Sequence, residues 1–112
     1  MAEQTTETPV LDLLTTMTAA SLEATTLDAE TLVLVRIAAL VAVDGPPASY
    51  LLNLGAAGEV GIGEEQIGGV LAAVAPIVGT TKVISAGGKI ARALGLAIDL
   101  AEVEAESEEA AS

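Results

Sequence analysis

The sequence predicts an all-α protein, a small bundle of about five helices. Three observations carry that prediction. Apolar residues recur at helical spacing through most of the chain. The core must be built from Ala, Val, Leu and Ile, since Tyr50 is the single aromatic residue; such a set suits closely packed helices better than sheets. Helix-ending and helix-starting residues also punctuate the chain at Asp28, Asp44-Gly45-Pro46-Pro47, Gly61-Ile62-Gly63 and Gly79-Thr80-Thr81.

The 112 residues form one domain, long enough to bury roughly two-thirds of the unfolded surface. Met1 to Pro9 is polar and reads as a disordered N-terminus. The helical domain spans 10–101, and the acidic segment 102–112 reads as a disordered, solvated tail.

Within the domain, Val10, Leu13, Leu14, Met17, Ala20 and Leu22 space a first helix ending near Ala24. Its several threonines lower its propensity, so it depends on docking. Asp28 caps the second helix, with Glu30 in its first turn. From Leu32 to Val43 every residue but Arg36 is apolar, which places this helix in the middle of the bundle or at a subunit interface. Gly45 is suited to a left-handed cap, and Pro46 or Pro47 opens the third helix. That helix ends at about Val60, with Gly61 as C-cap. Gly63, Glu64, Glu65 and Gln66 then start a fourth, with Ile62 and Ile67 at the spacing of a hydrophobic staple. Pro76 kinks or ends it. The fifth helix carries Val83, Gly87, Ile90, Ala91, Leu94, Ile98 and Ala101 on one face. Gly87, Ala91 and Gly95 on that face permit close approach of another helix.

Sixteen acidic residues against four basic ones leave a formal charge of −12. Such a field repels phosphate backbones and anionic lipid, so neither nucleic acid nor a membrane surface is an expected partner. No basic region precedes an apolar run, and the runs Leu32–Val35 and Ile37–Val43 are too short to span a bilayer. The expected location is the cytoplasm. The chain has no Cys and no His, so it lacks thiol chemistry, disulfides, and the commonest general base and metal ligand. No cofactor is expected.

The segments LDAETLVLVRIAAL and AAGEVGIGEEQIGGVLAAVAPIVG resemble the carboxymuconolactone decarboxylase family, which includes the alkyl hydroperoxidase D-like proteins. The resemblance extends over Leu27 to Leu100. It implies an alkyl hydroperoxidase D-like helical protomer of a homo-oligomer, commonly a trimer or hexamer. The peroxidase branch of that family uses a C-x-x-C pair and a His four residues later. Counted back from the turn at Gly61, those places hold Pro46, Ser49 and Asn53, and the associated glutamate falls near Leu34. The decarboxylase branch keeps the His, again at Asn53. Proline offers no nucleophile, Ser49 has no His to activate it, and an amide does not act as a base. The resemblance therefore implies the fold without either activity.

Arg36, Ser49, Tyr50 and Asn53 are the candidate ligand-pocket residues. Arg36 is either a structural cation bonded near the Gly-rich turn or the anchor of a carboxylate ligand. Tyr50 either packs or donates to a ligand. Ser49 and Asn53, four apart, share a face. Glu64, Glu65, Lys82, Lys89 and Arg92 are candidate interface charges. Lys82 near the start of its helix, and Asp99, Glu102 and Glu104 near the end, all oppose the helix dipole. Either the end of that helix is loose, or Lys82, Lys89 and Arg92 meet carboxylates of another helix or subunit. The expected function is non-catalytic assembly or binding. The competing reading is a lactone or β-keto acid decarboxylase in which Arg36, Lys89 or Arg92 holds the substrate and Tyr50 donates a proton.

Overall fold

The computed structural model describes residues 8–111, with side chains through Gly95. The expected disorder of Met1 to Glu7 and the side chains of the acidic tail lie outside the described residues. Five helices follow in order: α1 (Pro9–Ala24), α2 (Ala29–Val43), α3 (Pro47–Glu59), α4 (Glu64–Val78) and α5 (Thr80–Ala111). No strand occurs among the described residues.

The local signals act as their chemistry dictates. Asp28 Oδ1 accepts the Thr31 N–H at 2.8 Å, which satisfies one orphan donor of α2. That hydrogen bond holds the Asp28 carboxyl below its ordinary 3.8. At the start of α4, Gln66 Oε1 accepts the Gly63 N–H at 3.1 Å. Only this half of a capping box exists, because Gly63 has no side chain. Ile62 and Ile67 are both buried beside it. Gly61 ends α3 with φ 83°, where a β-carbon would be strained. The Ile62 N–H reaches the Ala57 carbonyl at 2.9 Å, and the Gly61 N–H reaches that of Gly58 at 3.2 Å.

Three boundaries differ from the sequence reading. The left-handed residue at the end of α2 is Asp44 (φ 55°), not Gly45. Asp tolerates this conformation better than most residues, and its carboxylate is held there by α5. Glycine is needed at position 45 for space, since a Cβ would lie 2.7 Å from Leu40 Cδ2. The Gly45 N–H bonds to the Leu40 carbonyl at 2.8 Å and the Asp44 N–H to that of Val41 at 3.2 Å, closing a Schellman motif. Pro76 does not end α4, which runs two residues beyond it, so of the two expected effects termination is the one excluded. Finally, α5 continues past Ala101 to Ala111, through a segment rich in Ala and Glu, both good helix formers.

Helix α2 is the hub, packed on α3, α4 and α5. Its inner residues Val33, Ile37 and Val41 join Tyr50, Leu54 and Ala57 of α3, Ile62 and Ile67 at the α4 start, and Ala86, Ile90 and Ala93 of α5. The opposite side of α2 remains open, with Val35 49% and Val43 72% exposed. Helix α1 joins none of this and buries no residue. The radius of gyration, 16.6 Å, exceeds the about 13 Å of a closed globule of this length.

The stripe of Gly87, Ala91 and Gly95 does not bring a helix into close contact. It borders a trough of about 440 Å³ between α4 and α5, and a Cβ at Gly87 or Gly95 would meet nothing within 4 Å. Ile67, Leu71, Ile90 and Leu94 flank the trough.

The two sides of α2 predict opposite mutational responses in a urea titration. Ile37→Ala, at a fully buried site, should lower stability by about 2–5 kcal/mol. Val35→Ala should stay within about 0.5 kcal/mol.

Candidate functional site

Two cations converge on the C-terminal end of α2, where unsatisfied carbonyls gather negative charge. Lys82 Nζ donates to the Ala42 carbonyl at 2.9 Å. Lys89 Nζ donates to the Gly45 carbonyl at 2.7 Å and to Asp44 Oδ1 at 2.9 Å. Ser85 donates to the same carboxylate oxygen at 2.8 Å. Lys89 and Asp44 form the one ion pair among the described residues. The adverse placement of Lys82 on its own helix thus has a partner: it serves the dipole of α2 instead. Lys89 meets a carboxylate of another element of the same chain.

Arg36 stands apart from that cluster. Its Nη2 donates to Ser21 Oγ of α1 at 2.9 Å, and no carboxylate lies within ion-pair distance among the described residues. The Gly-rich turn is not its partner. Gln66 of that turn instead donates to Glu30 at 3.0 Å, joining the first turns of α4 and α2.

Around Arg36 the helices α1, α2 and α3 leave a groove of about 580 Å³, lined by Leu14, Met17, Ser21, Leu40, Leu52 and Asn53 among others. Asn53 Nδ2 is committed to the Ser49 carbonyl at 2.9 Å, and Thr18 Oγ1, also in the lining, to the Leu14 carbonyl at 2.9 Å. Arg36 and Asn53, paired as candidates from sequence, do share this groove. Ser49 is half-buried and does not line it. Tyr50 is fully buried in the core. Its hydroxyl has no protein partner among the described residues; burial first, and then the charge of Asp44, push its pKa above 10.0.

Arg92 and Lys89 line a second cavity of about 540 Å³ with Pro47, Ala48, Leu51 and Ala93. Glu64 and Glu65 are exposed in the first turn of α4, and Glu64 borders the α4–α5 trough. The residues proposed for decarboxylation are therefore dispersed. Arg36 lines a different cavity from Lys89 and Arg92, and Tyr50 is buried in the core and lines neither.

The sequence reading overlooked Leu14, Met17, Thr18 and Ser21 as a lining. Their signal was the i, i+3, i+4, i+7 spacing that ends in a hydroxyl. Apart from Arg36, no ionisable side chain among the described residues lines the groove. It can hold a charged ligand, but its lining offers no group that exchanges a proton near neutrality.

No family model, curated protein or solved structure matches the chain.

Two outcomes follow from the end of α2. Hydrogen bonds from Lys89 and Ser85 hold the Asp44 carboxyl below its ordinary 3.8. A depressed folded-state pKa adds stability above the unfolded value and loses it as pH falls through the folded one. The stability gap between wild type and Asp44→Asn should thus be constant above about pH 5 and close below 3.8, measured by urea unfolding at each pH. Tyr50→Phe removes a buried hydroxyl that has no protein acceptor among the described residues. Its melting temperature should equal or exceed that of wild type.

Proposed function

We propose that this chain is a non-catalytic, homo-oligomeric assembly or binding protein, an alkyl hydroperoxidase D-like scaffold without that family's reactive residues. The observation that carries the reading is helix α1. Its side chains Val10, Leu13, Leu14 and Met17 are 66%, 59%, 50% and 56% exposed. At least half of the about 1.5–3 kcal/mol that burial of each side chain brings is unrealised in a single chain. A 16-residue helix with this many threonines is marginal in water unless its apolar face is covered.

The neighbouring surface supports the same reading. Val35 and Val43 on α2 and Leu52 on α3 are exposed, and they extend the apolar area away from α1. Further copies packed around a closed symmetry axis cover both. The net charge of the chain does not forbid this, because the apolar stripes carry few acids and salt screens the rest beyond about 8 Å. The resemblance to the decarboxylase family implies three or six subunits.

Light scattering at micromolar concentration tests the proposal. Wild type should give an integral multiple of 11.1 kDa, and the double variant Val10→Asp/Leu13→Asp should give the monomer mass. A wild-type monomer with undiminished helix content would overturn it.

A further inference from the structure

We infer that the groove between α1, α2 and α3 binds an aliphatic monocarboxylate, with its head on Arg36 and its tail along Leu14, Met17, Leu40 and Leu52. This inference goes beyond the assembly reading and takes Leu14 and Met17 for the ligand, leaving Val10, Leu13, Val35 and Val43 for a second copy. It begins with the economy of charge. The chain has four acidic residues for each basic one, and Lys89 takes a carboxylate partner. Among the described residues Arg36 has only a neutral hydroxyl, although it stands on an otherwise apolar stretch of helix. A half-buried guanidinium with no counter-charge among the described residues is open to an anion from outside the chain. Of its five N–H donors, the one on Ser21 alone has an acceptor among the described residues, and the planar fork of the others fits a carboxylate.

The rest of the lining selects the remainder of the ligand. Thr18 spends its donor on a backbone carbonyl and Asn53 one of its two, so Arg36 is the one charged group of the described lining to meet a head group, with Ser21 and the second Asn53 N–H beside it. Leu14, Met17 and Leu52 are half or more exposed, and an alkyl chain covers them without needing a polar partner. The volume, about 580 Å³, lies within the roughly 300–1,000 Å³ range typical of small-molecule sites. A single guanidinium balances a single negative charge. A dianion or polyanion would carry uncompensated charge into a chain of net charge −12.

Isothermal titration calorimetry with decanoate, decanol and decyltrimethylammonium tests this on the full chain. Decanoate should bind saturably, one per chain, and at least about tenfold more tightly than decanol, with the ammonium weakest. Arg36→Gln should weaken decanoate by a similar factor and leave decanol unchanged. Equal affinities of wild type for decanoate and decanol would sink the inference without reference to any variant; so would undiminished decanoate binding by Arg36→Gln. Light scattering on the same samples separates the two readings. An oligomer that binds no decanoate overturns this inference alone, with a second copy as the occupant of the groove. A monomer that binds decanoate overturns the assembly reading alone.

Discussion

The structure depends on what happens at the C-terminal end of α2. That helix is apolar on nearly every side and packs on α3, α4 and α5 with one side open, and carbonyls at its end accept from the lysines of another helix. Lys82 and Lys89 come from α5, some forty residues later in the chain, to meet Ala42, Asp44 and Gly45. The corner stays tight because Asp44 accepts a left-handed backbone and Gly45 leaves room for Leu40. With α5 tied to this end, Ile90 and Ala93 are drawn against Ile37, Val41 and Tyr50, and the core closes.

This arrangement also explains where the scarce positive charge goes. Two of the four cations serve the end of one helix, an effect of dipole and carbonyl rather than of simple ion pairing. Arg36 and Arg92 are left beside cavities. A surface salt bridge contributes little on its own, so the Lys89–Asp44 pair matters chiefly through the carbonyls it satisfies and the two helices it joins. Arg36 has a different part. It is held by a single hydroxyl from α1, the helix least attached to the rest.

Most of the fold was legible because short-range chemistry set it. Asp28, Gly61 and the Gly63–Ile67 start each depend on groups within a few residues, and each behaves as its local sequence requires. The site was legible only in part. Arg36 and Asn53 could be singled out as polar residues on apolar helices, and they share a groove. Tyr50 could not be separated from them, because whether an aromatic hydroxyl faces a cavity or the core depends on which way α3 is rotated. Its burial against α2 was decided by packing.

By itself the sequence determined the helices, their caps and the shortage of reactive side chains, since periodicity, turn chemistry and composition are properties of the chain alone. Tertiary structure decided which carbonyls the lysines meet, which residue takes the left-handed turn, and that the apolar face of α1 stays open. The physical reason is range. Backbone conformation is chosen by neighbours a few residues away, whereas a partner for a charge or an apolar face comes from any helix that packing brings within a few ångströms.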